Sequence, residues 1–198
     1  MVLYAAIMTE LKIRLRWLEY AANGKTGMDA QMVTEFGFLQ LRMACELVAL
    51  GCLVAHGDLA ATKTGKFQSV FSADTILKGL ENLNPNFFPT PWVQVPTSPG
   101  HHHFEDRSAD DFTTKEELLV LYGRVCGNVL HKGSLKNLMK PVPPVQKNFP
   151  ALMEPAQRLA NLLSIHRISL LGNTRQFMCW LEYAPRGGRV HVAIADGR

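Results

Sequence analysis

Two side chains in LYGRVCGNVLHKG, Leu121 to Gly133, have the chemistry to process a phosphodiester: Arg124 and His131. An imidazole that titrates near neutrality passes a proton to or from a ribose hydroxyl or a leaving oxygen. A guanidinium holds two phosphate oxygens and offsets the charge that grows in the transition state. At about 100° per residue, seven positions bring the second side chain back to within about 20° of the first, two helical turns on. Asn128 and Glu117 fall on the same stripe, with Leu119, Tyr122, Cys126 and Val129 opposite. On this reading His131 is the acid/base, Arg124 the phosphate clamp, and Asn128 a positioning hydrogen bond. The plainer reading is a solvated helix face, with His131 near the C-terminal carbonyls, where a cation is favoured.

A second pair, Arg42 and Glu46 in LRMACELVALG, stands at i,i+4 in a helix with little polar surface. An isolated carboxylate is costly to bury, so Glu46 pairs with Arg42 as a structural ion pair, or turns to support Arg124 or His131. His101, His102 and His103, followed by Glu105 and Asp106, raise the question of a metal. Consecutive residues of an extended segment point in alternating directions and make a poor chelate, so no metal or other cofactor is expected. His56 in AHGD is placed to cap a helix. Trp17, Trp92 and Trp180 are scattered, and the C-terminal aromatics alternate as strand packing requires, so the sequence offers no stacking platform for bases.

These residues must be positioned by helices first. Residues 3 to 22 have helical spacing and stop at NGKTG. From about Asp29 to Ala55 the chain lacks proline and is apolar all round after Met43, as expected of the central buried helix. SADTILKGLENL reads as a short helix with Ser72 at its N-cap. Prolines between Asn84 and Phe112 predict a long irregular connection. TTKEELLVLYGRVCGNVLHKG then offers capping boxes, Thr113 with Glu116 and Thr114 with Glu117, and closes at Gly133. PALMEPAQRLANLLSIH is helical, with Pro150 in the first turn and Pro155 marking a break or late start. HRISLLG, QFMCWLEY and RVHVAIA, separated by GNT and PRGG, predict a small antiparallel meander. The predicted class is mainly α: a helical bundle core with a small C-terminal antiparallel β-meander, α+β overall. Residues 1–140 form the core, including the irregular loop 84–112, and residues 141–198 supply a helix and the meander packed on it.

Composition narrows the partners. With 198 residues, 47% hydrophobic and 19% charged, the chain is long enough to bury a core and too apolar for wholesale disorder. A formal charge of +4 permits a nucleic-acid partner without demanding one. Cys45, Cys52, Cys126 and Cys179 lie isolated in apolar contexts, as buried reduced thiols of a cytoplasmic protein do. The run MACELVALGCLVA is thirteen residues long and contains Glu46, too short and too polar for a bilayer span, and the N-terminus lacks a signal-peptide core.

An arginine followed about two turns on by a histidine, late in a helical core, resembles the signature of the HEPN superfamily, and at the level of architecture the resemblance covers roughly residues 1–140. Val125 departs from the polar residue common after the arginine in that family. The resemblance implies a metal-independent endoribonuclease of toxin or defence type, acting on RNA as a homodimer, with Arg124 and His131 catalytic and an antidote or partner protein in attendance. Two rivals differ in class. One is a non-catalytic binding or assembly module that holds a partner on its basic surface or its C-terminal sheet. The other is a metal-dependent hydrolase built on the histidine tract.

Overall fold

The computed structural model describes residues 1–57, 59–65, 69–70, 72–98, 101–130, 149–170 and 175–196. Helix α1 runs Val2–Ala22 and α2 runs Ala30–Ala55, where Asp29 caps the first turn by accepting the Met32 N–H at 2.9 Å. The apolar stretch of α2 extends beyond the thirteen-residue run, and by length and composition the helix is sufficient to cross a membrane. In this fold it is the core instead: Leu41, Ala44, Cys45, Ala49 and Cys52 are fully buried. Two glycines let neighbours close on it. A Cβ at Gly37 would lie 2.7 Å from Leu152 Cδ1, and one at Gly51 would lie 2.8 Å from Met8 Cε. Large side chains of the 149–152 turn and of α1 therefore reach the α2 backbone itself.

Helix α3 is Ala73–Glu81, beginning at Ser72 as the sequence predicts. Helix α4, Lys115–Val120, carries the Thr114/Glu117 capping box, while Thr113 is buried and its N–H donates to the Arg158 carbonyl. A π-helical turn, Leu121–Val125, then leads into α5, Cys126–Leu130. The expected stop at Gly133 lies outside the described residues. A short 3-10 turn at Phe149–Leu152 holds Pro150, and helix α6, Met153–Ser164, starts late, with Pro155 in its first turn.

The expected irregular connection is where sequence and structure part. Within it, β1 (Thr90–Ser98) and β2 (His101–Asp106) form an antiparallel hairpin. Its prolines sit where a sheet tolerates them. Pro91 is in the two-residue overlap of β1 with its neighbour, and Pro96 adjoins a bulge. The meander follows as β3 (Ile165–Ser169), β4 (Arg175–Tyr183) and β5 (Arg189–Asp196), with Gly187 and Gly188 at positive φ between the last two. Together the strands make one antiparallel sheet in the order β2-β1-β3-β4-β5.

Alternation divides the sheet into two sides. His166, Ile168, Cys179 and Leu181 turn inward to one core shared with Tyr4 and Met8 of α1 and Leu159, Leu162 and Leu163 of α6. That core joins the N-terminal helices to the C-terminal strands. On the other side, Trp92, Phe104, Arg167, Trp180 and His191 share a face by register.

Candidate functional site

The helical stripe is only partly assembled. Arg124 is exposed on the π turn and has no ion pair or hydrogen bond among the described residues. His131 and the side chain of Asn128 lie outside the described residues. Glu117, expected on the same stripe, turns instead to α6, where the Arg158 guanidinium holds both its oxygens at 2.7 and 2.9 Å. The backbone N–H of Thr114 and that guanidinium keep its carboxyl below the usual carboxylate range. A π turn widens the helix locally, so spacing counted at an α-helical pitch does not carry across it. Beside it lies a cleft of about 360 Å³ lined by Glu116, Glu117 and Glu154 against the already committed Arg158. Such a surface opposes a phosphate.

Arg42 and Glu46 do pair, Nε to Oε1 at 3.5 Å, but at 26% and 31% side-chain exposure they are half-buried rather than sealed in the core. Arg42 also lies over the Tyr122 ring, 4.6 Å from its centroid. This cation–π contact fixes α2 against the π turn. Among the described residues, Arg42 engages Glu46 and Tyr122, with no ion pair or hydrogen bond from Arg42 or Glu46 to Arg124.

The histidine tract sits on β2, with His101 and His103 exposed. Among the described residues, no three His, Cys, Asp or Glu side chains group as metal ligands. His56 caps α2 as expected. Its Nδ1–H donates to the Cys52 carbonyl at 2.8 Å, which leaves Nε2 to accept from the Asn84 amide at 3.0 Å. The four cysteines are buried and unpaired, and burial pushes the Cys126 and Cys179 thiols up to about 12. They are poor nucleophiles.

What the sequence did not show is the outer side of the sheet. Trp92 stacks on Phe104 at 5.2 Å between centroids, Phe104 meets Trp180 at 6.2 Å, and Trp180 meets His191 and Tyr183 at 5.6 Å each. Tyr183 and His191 stack at 4.6 Å. Three inter-strand spacings of about 4.8 Å separate β2 from β4 in a flat sheet. Contact between Phe104 and Trp180 therefore reflects a hairpin that leaves β3 after Pro91 and curls toward β4. The result is an aromatic band across a curled face, every ring half-buried, so that part of each still meets solvent.

Cations attend this band. The Arg167 guanidinium lies 4.8 Å from the Trp92 centroid, and Arg186 and Arg189 are exposed near its β5 end. Asp106 is engaged by the Trp92 indole N–H at 2.9 Å. Trp180 Nε1 and Arg167 Nε are buried donors with no hydrogen-bond partner among the described residues. Buried donors are almost always paired, so two on one face mark it as unusual. The signal in the sequence is the outward alternation of Trp180 in QFMCWLEY together with Trp92 in TPWVQV, visible only once strand register is known. No protein-family model, curated protein or solved structure matches this chain.

Proposed function

We propose that the protein binds single-stranded nucleic acid on the curled aromatic face of its sheet. The observation that carries the reading is the band running from Trp92 and Phe104 through Trp180 to His191 and Tyr183, with Arg167 stacked at one end. Unpaired bases stack on such rings whatever their sequence, at about 1 to 3 kcal/mol per base, while arginines track the backbone. A duplex hides its base faces and is excluded. The reading is that of a binding module using its C-terminal sheet. Buried, unpaired thiols suit a reducing compartment such as the cytoplasm.

Fluorescence anisotropy with labelled single-stranded RNA and DNA decamers tests it. Tyr183→Ala and Trp180→Leu are each expected to weaken binding by about tenfold, within the range that 1 to 3 kcal/mol allows. Affinity should also fall as salt rises, as phosphate contacts require. Binding that is absent, or is indifferent to both variants, refutes the proposal.

The endoribonuclease reading of HEPN type keeps one specific support: the arginine it needs is exposed on a π turn, a distortion frequent at functional sites. It adds cleavage to binding, so the same RNA, run on a gel with Arg124→Ala and His131→Ala proteins, separates the two. Loss of cleavage in both variants with binding intact is its expected result, with a homodimer as the assembly that brings two motifs together. RNA left uncut by the wild type removes it.

A further inference from the structure

The geometry points to a base-specific pocket at the Arg167 end of the band, one that receives a single guanine of the bound strand. This rests on the nucleic-acid reading above and names what that face selects. A cleft of about 610 Å³ lies where β1 enters the sheet, lined among others by Asn86, Phe88, Phe112, Arg167, Ser169 and Gln176. That volume falls within the range of small-molecule sites. Ser169 and Gln176 face each other across β3 and β4, and Thr90 faces Arg167 across β1 and β3, on the side of the sheet that carries Trp180. The cleft is thus continuous with the aromatic band through one residue, Arg167, which lines the cleft and lies over Trp92.

The polar groups here are uncommitted. The side chains of Asn86, Ser169 and Gln176 make no hydrogen bond among the described residues, and Arg167 Nε is buried without a partner. Proline and phenylalanine supply the rest of the lining, flat apolar surface suited to a planar ring. A guanidinium stacked on an indole keeps its N–H edge for hydrogen bonding, and it can only donate. Among bases, guanine offers two adjacent acceptors, O6 and N7, to such a fork, whereas adenine places an amino donor where the acceptor is needed. Guanine also carries N1–H and N2–H donors on its other edge, for which the amide oxygens of Gln176 and Asn86 and the Ser169 hydroxyl are acceptors.

The test is competition anisotropy with single-stranded nonamers of uridine carrying G, A, C or U at the centre, and the DNA counterparts. The central G is expected to bind about tenfold tighter than the others, the scale of one bidentate base contact. Arg167→Lys, which keeps the charge but not the planar fork, should bring all four nonamers within about twofold of one another, whatever it does to their common affinity. Gln176→Ala should shrink the preference, with thermal melting used to verify that both variants fold. Equal binding of all four nonamers by the wild type, or a G preference that survives both substitutions, overturns the guanine pocket and leaves the aromatic face standing. Failure of every oligonucleotide to bind overturns both.

Discussion

His166 should make the stability of this protein fall as the solution is acidified through the range in which free histidine takes up a proton. The ring is 1% exposed, and its Nδ1 lies 2.9 Å from the Leu163 carbonyl, which can only accept, so Nδ1 carries the hydrogen. Nε2 is therefore a lone pair, and the Tyr4 hydroxyl donates to it at 2.6 Å. Burial drives the imidazole down from 6.5 to about 4, against a smaller opposing effect of the Leu163 carbonyl. An unfolded chain binds the proton below about 6.5, while the native fold refuses it until about 4. Stability from this group is thus complete above about 6.5, declines as pH falls between the two values, and levels off below the lower one. At about 1.4 kcal/mol for each pH unit between them, the full loss is roughly 3 kcal/mol. Urea unfolding followed by tryptophan fluorescence at pH 7.5, 6, 5 and 4 measures it, with His166→Gln as the reference, since glutamine offers a donor and an acceptor but no titration. Contributions from Glu117 and Glu182 are common to both proteins and cancel in the difference. The gap between wild type and variant should shrink by roughly 3 kcal/mol over the series. Parallel curves would refute the argument. So would an NMR titration placing the His166 midpoint near 6.5, a measurement that needs no variant.

Two further predictions concern α2. Leu41 is fully buried, so Leu41→Ala should cost about 2 to 5 kcal/mol in chemical denaturation through lost burial and the cavity left behind. Glu46→Ala should cost only about 1 kcal/mol or less by the same measurement, because its pair with Arg42 is half in solvent and Arg42 keeps the Tyr122 ring as a partner.

Legibility followed range of interaction. Asp29 and the Thr114/Glu117 box bond their own helix ends within a few residues, Ser72 stands at the N-cap position without a side-chain bond, and each begins a helix where the sequence places it. The apolar run after Met43 similarly reads as core because burial on all sides needs no partner to be specified. The β1–β2 hairpin escaped because proline density in TPWVQVPTS reads as loop, and only pairing shows that Pro91 and Pro96 sit at the short overlap and the bulge. The π turn escaped because the lone Gly123 in LYGRV weakens a helix without specifying a wider turn, yet that turn breaks the seven-residue arithmetic linking Glu117 to Arg124. The aromatic band was invisible for the same reason as the hairpin, at greater distance. Trp92 and Trp180 belong to one face through the register of β1 on β3 and of β3 on β4, a property of pairing that no local pattern encodes.

The hydrogen bond between Tyr4 and His166 also sets a schedule for biosynthesis. A ribosome adds about 5 to 20 residues per second, so the 162 positions between these partners take roughly 8 to 32 s to emerge. Helix α1 can settle against α2 early, with Met8 at the Gly51 notch, but the side of it that meets the sheet waits for β3 and β4. Closing so long a loop costs only slightly more entropy than closing one half its length. The burden is one of time rather than equilibrium: Tyr4 and its apolar neighbours face water, or a chaperone, throughout that interval. A nascent chain arrested before residue 166 would hold its first helix with one flank uncovered.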